Sequence, residues 1–196
     1  MRHRLLETID RYDPGLPLAE ARTPPAAWYV DPGVHELELA GTFANHWQLA
    51  CRLDQVREAG QFVTLEVAGE PLAVVRGGDG VLRCFHNVCR HHAAAVLTEP
   101  AGCVKRLVCP YHGWTYTLEG ALKAAPAFEG VRGFDPQQQG LVPVATATWE
   151  NWVFVRLAPH GPSLGEFLGD ELRAQVADLG LSGLRWFDRR HYVFDC

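Results

Sequence analysis

From Trp47 to Phe85 the chain alternates short apolar runs with turn residues, and within each run apolar and polar positions follow the two-residue period of half-buried strands. Trp47–Leu53, Gln61–Val67, Leu72–Arg76 and Val81–Phe85 read as strands, with Gly77-Gly78-Asp79-Gly80 as the tight turn between the last two. This is the pattern of an antiparallel meander. Val142–Thr148 and Trp152–Leu157 repeat it further on, and Leu118-Glu119-Gly120 marks another turn. The pattern predicts a mainly β fold with few helices.

Helix signals flank the strands. A short helix-like start is followed by a linker containing Pro14, Pro17, Pro24 and Pro25. Asp31-Pro32 then offers an N-cap acid and a proline at the first helical position, with Val34, Leu37, Phe43 and Trp47 as a candidate apolar face. Near the other end Ser163 and Glu166 form a capping box. They open a helix in two pieces toward Leu179, ended by Gly180, with Leu164, Phe167, Leu168, Leu172 and Val176 expected in the core. Leu184 to Cys196 is β-prone and aromatic and reads as a strand. Residues 1–46 are thus an N-terminal arm and helix, 47–160 the β domain, and 161–196 a helix and strand.

Composition narrows the function. The net charge of −5 comes with no basic run, which argues against nucleic acid or an anionic membrane surface as partner. No eighteen-residue apolar stretch suggests a membrane span. Glu7, Asp10 and Asp13 interrupt the N-terminal apolar run before a signal-peptide core forms, so a cytoplasmic location is expected.

The candidate chemistry lies in Cys89-Arg90-His91 and, after seventeen intervening residues, Cys109-Pro110-Tyr111-His112-Gly113-Trp114. Two loops each offering one sulfur and one nitrogen match a [2Fe–2S] centre in which two thiolates hold one iron and two imidazoles the other. Gly113 permits a sharp return of the second loop, and Pro110 stiffens it. Two Cys and two His are also a zinc set. Zinc sites, however, usually pair cysteine with cysteine and histidine with histidine along the chain.

These runs, Asn87 to His91 and Cys109 to Tyr116, resemble the Rieske family, in particular the N-terminal domain of the large (alpha) subunit of Rieske non-haem iron oxygenases. The resemblance extends from about Tyr29 to the last residue. It implies the Rieske iron-sulfur fold: three small antiparallel sheets, two cluster-binding loops and flanking N- and C-terminal helices. It also implies Cys89, His91, Cys109 and His112 as ligands of a [2Fe–2S] cluster. Arg90 and Tyr111 stand where respiratory members carry disulfide-forming cysteines, and Trp114 where they place a serine that bonds a cluster sulfide. Fewer hydrogen bonds to sulfur favour the oxidised form, so the expected potential is low in the Rieske range, about −150 to 0 mV. Members often have arginine and glycine after the first histidine ligand. Here His92 and Ala93 follow, so the choice of His91 over His92 rests on spacing. The remaining cysteines, Cys51, Cys84, Cys103 and Cys196, are expected reduced and buried.

In such oxygenases an NAD(P)H-dependent reductase or a ferredoxin reduces the cluster. The electron then passes to a mononuclear Fe(II) in a second domain, often across a homotrimer interface, for O2-dependent hydroxylation of an organic substrate. That iron needs two histidines and a carboxylate. Asp188 to His191 begins the expected run, but Cys196 stands where a histidine is needed, and His86 and His91 lack the acid. Residues 184–196 therefore read as the first strand of a catalytic domain lying outside this sequence, and the chain as not catalytic by itself. The alternative is a stand-alone Rieske ferredoxin-like electron carrier. The substrate, aromatic or quaternary amine, is left open.

Overall fold

The structure is a computed structural model, and it describes residues 2–194. Cys196, and with it the end of the expected last strand and the sixth thiol, lies outside the described residues.

Three short helices open the chain: α1 (Arg2–Ile9), α2 (Ala27–Val30) and α3 (Pro32–Glu38). Asp31 caps α3 as expected, its carboxylate accepting from Gly33 N at 2.8 Å. The helix is shorter than its apolar spacing suggested. It passes into a π-turn over Leu39–Phe43, leaving Val34 buried and Phe43 exposed. Trp47 is buried beyond the turn, where its indole N–H donates to Pro162 O at 2.9 Å. The Arg156 guanidinium donates to the same carbonyl and lies 4.9 Å over the Trp47 ring. This latch ties the start of the sheet to its last strand.

Ten strands follow: β1 (Gln48–Arg52), β2 (Gln61–Val67), β3 (Glu70–Arg76), β4 (Leu82–His86), β5 (Ala101–Cys103), β6 (Leu107–Val108), β7 (Thr115–Tyr116), β8 (Leu122–Ala124), β9 (Pro143–Trp149) and β10 (Trp152–Arg156). All pair antiparallel. Two of the three small sheets expected are joined. β9 pairs along β10 through Ala145 to Trp149 and also with β4 through Pro143 and Val144, giving a seven-stranded order β1-β10-β9-β4-β3-β2-β5. The third sheet is β6-β7-β8.

The two-residue period divides this sheet between two cores. Along β3, Leu72 and Val74 face a core with Cys51, Val56, Val153 and Val155, while Ala73 and Val75 face a second with Cys89, Cys109, Trp114 and Tyr116. On β4, Cys84 joins the first core and Phe85 the second. A strand buried on both faces cannot slip register without moving apolar side chains between the cores, so β3 is the fixed axis of the domain.

Two loops, called fingers below, leave this frame and repeat one backbone turn. In the first, Ala93 N donates to Cys89 O at 3.0 Å and Cys89 N to Ala94 O at 2.8 Å. In the second, Gly113 N donates to Cys109 O at 3.0 Å and Cys109 N to Trp114 O at 2.8 Å. The fifth residue of each turn is left-handed: Gly113 has φ +71° and Ala93 φ +58°. Glycine adopts this conformation without a Cβ penalty, and alanine does not. The second hairpin closes in β6-β7 register, Val108 opposite Thr115. The first is anchored by Asn87, a buried amide that accepts from Val96 N (3.1 Å) and Leu97 N (2.9 Å) and donates to Leu97 O (2.7 Å).

At the C-terminal end the capping box of α4 (Leu164–Val176) forms as expected. Ser163 N donates to Glu166 Oε2 at 2.8 Å, and Glu166 N to Ser163 Oγ at 3.3 Å. Gly169, at φ +71°, divides the helix in two, and Gly180 ends the following turn. The expected core stripe is not one. Leu164 is buried, whereas Phe167, before the break at Gly169, and Leu172, after it, are each 40% exposed, with the Phe167 ring 5.8 Å from that of His46. Residues 184–194 form no strand among the described residues. A β-prone segment becomes a strand only against a partner's N–H and C=O groups, and this one has none. It is held instead by Asn151, whose amide donates to Leu181 O, Ser182 O and Leu184 O, and by Trp186 under the Arg52 guanidinium at 4.2 Å.

Asn87→Ala leaves two buried N–H groups and a carbonyl unpaired, and is expected to cost about 3 kcal/mol, lowering the melting temperature by about 10 °C. Ala93→Gly is expected to do the opposite, raising stability by about 0.5 kcal/mol, because relief of the left-handed alanine exceeds glycine's added chain entropy. Thermal melts of both variants against the parent chain check the two signs.

Candidate metal centre

The fingers bring their side chains to one tip. Cys89 and Cys109 point inward and are buried with Trp114, Tyr116, Leu107 and Phe62. The histidines point outward: His91 is half-buried, and His92 and His112 are exposed. His91 and His112 have ring centroids 4.8 Å apart. The four residues singled out from the sequence thus meet at one end of the domain, sulfurs inside and imidazoles outside.

Aromatic packing sets the imidazole positions. His91, from the first finger, lies parallel to Trp114, from the second, at 4.8 Å and 3°. Phe128 meets both rings edge-on, and Phe134 packs on Trp114 and Phe128. His112 is stacked on Tyr111 at 3.8 Å. Trp114 shields the tip, whereas Tyr111 is 64% exposed and backs only one face of His112.

Two polar atoms here are buried without a hydrogen-bond partner, His91 Nδ1 and Trp114 Nε1. An orphaned imidazole nitrogen, at a tip that also holds two buried thiols and a second imidazole, suits a group that accepts nitrogen and sulfur donors, since an unpaired buried nitrogen is otherwise costly. Partial desolvation, with His92 and His112 alongside, holds the His91 pKa below its ordinary value, which favours the neutral form that ligates. The residues present therefore fit an iron-sulfur group held by two thiolates and two imidazoles.

Tyr116 is the site residue to which the sequence reading gave no role. It is fully buried on β7, its hydroxyl 3.3 Å from Cys89 Sγ and accepting from Arg90 N at 3.0 Å. Because the backbone N–H occupies an oxygen lone pair, the phenol proton is free to point at the sulfur. Burial first, and the Cys89 contact next, raise the Tyr116 pKa, so the donor stays protonated. The signal was strand alternation: Trp114 inward, Thr115 outward, Tyr116 inward.

The other cysteines divide. Cys51 and Cys84 are buried thiols whose pKa values burial pushes up to about 11 and about 12, which leaves them unreactive. Cys103 corrects the expectation of burial. It is exposed on the edge strand β5, where the side chain has no second layer to face.

Comparison with known proteins agrees with this geometry. Residues 46–135 match the Rieske [2Fe-2S] domain. The chain is 35% identical to the chloroplastic choline monooxygenase of Arabidopsis thaliana over 96% of its own length and 47% of that protein's. It is 38% identical to the glycine betaine monooxygenase oxygenase subunit of Chromohalobacter salexigens, over 74% of this chain and 32% of that one. Among solved structures, a quaternary ammonium Rieske monooxygenase in complex with L-carnitine superimposes with a TM-score of 0.72 at 27% identity, covering 78% of this chain and 44% of that one. Naphthalene 1,2-dioxygenase from Rhodococcus sp. gives 0.77 at 28% identity, covering 89% and 39%. The chain thus spans less than half the length of these relatives. Among the described residues no helix is long and apolar enough to cross a membrane. With the two fingers, the β frame and these relatives, residues 46–135 are a Rieske [2Fe–2S] domain, of the kind carried by the oxygenase subunits of Rieske mono- and dioxygenases.

Proposed function

We propose that Cys89, His91, Cys109 and His112 hold the [2Fe–2S] cluster, the two thiolates on one iron and the two imidazoles on the other, and that this chain is the electron-transfer portion of an oxygenase subunit. The observation that carries the assignment is the repeated finger turn, which buries both cysteines in one core and turns the histidines out at one tip. When bound, the cluster takes up and gives out one electron. The protein's own share follows from its side chains. The apolar packing around Cys89 and Cys109 excludes water from the sulfur side, Tyr116 donates toward Cys89 Sγ, and Trp114 fixes the His91 ring. His112, exposed and backed by Tyr111, faces solvent where a partner can approach. Arg90, exposed on the first finger, suits an acidic partner surface.

In this reading residues 1–46 are an arm around residues 47–160, the cluster domain, and 161–196 lead into a catalytic domain that supplies a mononuclear Fe(II). The donor is an NAD(P)H-dependent reductase or a ferredoxin, the assembly a homotrimer and the setting cytoplasmic, where the free thiols stay reduced. A quaternary amine is the substrate class favoured by the identities to choline and glycine betaine monooxygenases. The stand-alone carrier is the weaker reading, because similarity to oxygenase subunits runs well beyond the matched cluster domain.

Metal and sulfide analysis of the anaerobically purified chain tests the assignment. Two irons and two sulfides per chain, with a Rieske-type rhombic electron paramagnetic resonance signal after dithionite reduction, are expected, and both should be lost in Cys89→Ala and Cys109→Ala. A colourless zinc protein would overturn it. A redox titration should place the midpoint at about −150 to 0 mV, and Tyr116→Phe should lower it by about 50 mV, one weak hydrogen bond to sulfur converted at about 59 mV per tenfold change. An unchanged midpoint would mean that the phenol only packs.

A further inference from the structure

The proposed cluster uses two imidazoles, and the tip presents three. His92 follows His91 and occupies, in the first finger, the place that His112 occupies in the second: each is three residues after its cysteine in the repeated turn. Its ring lies 3.8 Å from that of His91 and 5.3 Å from that of His112. One ligating nitrogen from each of His91, His92 and His112 can be chosen so that all three lie within 4.8 Å of one another. His91 is held by the Trp114 stack and His112 by the Tyr111 stack, while His92 is exposed.

We infer that in the cluster-free chain His91, His92 and His112 bind one divalent cation of the zinc, cobalt or nickel class, with His92 as the ligand that the cluster does not use. Three imidazoles around such an ion at about 2.0–2.1 Å need nitrogens about 3.4 Å apart. Rotation of the exposed His92 ring, and of His112 together with the exposed Tyr111 ring stacked on it, supplies the remaining movement, and water takes the fourth position. A hollow of about 520 Å³ beside the first finger, lined by Glu70, His86, Arg90, His91 and His92 among others, opens this side to solvent. The site differs from a two-cysteine, two-histidine zinc site in leaving Cys89 and Cys109 in their core. Its exclusion by the cluster rests on the ligand assignment proposed above, since the cluster would engage His91 and His112 and leave His92 alone.

The test is titration of the full chain, freed of iron, with Co2+ and then Zn2+, read by optical absorption and calorimetry. One ion per chain is expected, with cobalt d–d bands and no sulfur-to-cobalt charge-transfer band. His92→Ala should weaken binding by about 100-fold or more, since even outer-shell changes cost up to about that. Cys89→Ala should leave it unchanged. A thiolate charge-transfer band, or unaltered affinity in His92→Ala, would overturn the proposal. Circular dichroism, with His92→Asn as a second variant, separates lost folding from a lost ligand, and His92 is exposed enough for both to fold. Iron and electron paramagnetic resonance measurements on reconstituted His92→Ala keep the two readings apart. A retained cluster upholds the assignment whatever cobalt does, and cobalt binding alone upholds the cation site if no cluster forms.

Discussion

The parallel stack of His91 on Trp114 is the contact on which the tip depends, because it joins one finger to the other. Neither finger carries a disulfide or an ion pair that could do this among the described residues. An aromatic pair contributes about 0.5–1.5 kcal/mol beyond its burial, a modest amount unless the larger ring is itself immobile. Trp114 is immobile: it is buried, backed by Phe128 and Phe134, and placed by a backbone bond from Cys109 N to its own carbonyl. Orientation of the exposed side is therefore inherited from the core.

That inheritance explains the division between sulfur and nitrogen. β3 buries both faces, and its Ala73–Val75 face forms the floor on which Cys89, Cys109, Trp114 and Tyr116 pack. Tyr116 then links the floor to the first finger through Cys89 Sγ and Arg90 N. Asn87 does the same from the other side by closing the chain at Val96 and Leu97. Each link is a buried polar group whose partner lies in a different segment, so loosening one finger exposes unpaired groups in the frame. The tip is rigid where electrons would be held and open only where they would be exchanged.

The long strands and both cysteine-histidine motifs were legible in the sequence because each has a local cause. Period-two alternation marked β2, β3, β4, β9 and β10, and the Asp31 cap, the Ser163–Glu166 box and Gly180 depend on neighbours within three residues. What was not legible depends on distant partners. β5, β6, β7 and β8 are two or three residues long and exist only because β2 or each other supplies the ladder. The joining of two expected sheets turns on β9 changing partner at Val144 and Ala145, which no alternation reveals. Phe167 and Leu172 failed as core residues because helical spacing marks an apolar face but not whether another layer covers it. At the site, the four motif residues were found by spacing, while Tyr116, Phe128 and Phe134 required the fold to bring them in.

Ala93 shows how the two kinds of information meet. The first finger adopts the same left-handed fifth position as the second, although it has alanine where the other has glycine. An L residue keeps that conformation only where surrounding contacts over-determine it. Here they are the pair of bonds between Cys89 and Ala93–Ala94 and the clamp of Asn87 behind them. The strain is thus carried by the finger that also bears the additional histidine. Both departures, His92 and Ala93, fall within one turn whose backbone is otherwise the same as its partner's. The turn conserves its hydrogen bonds and yields in its side chains, so chemistry at the tip can change without altering the frame that holds it.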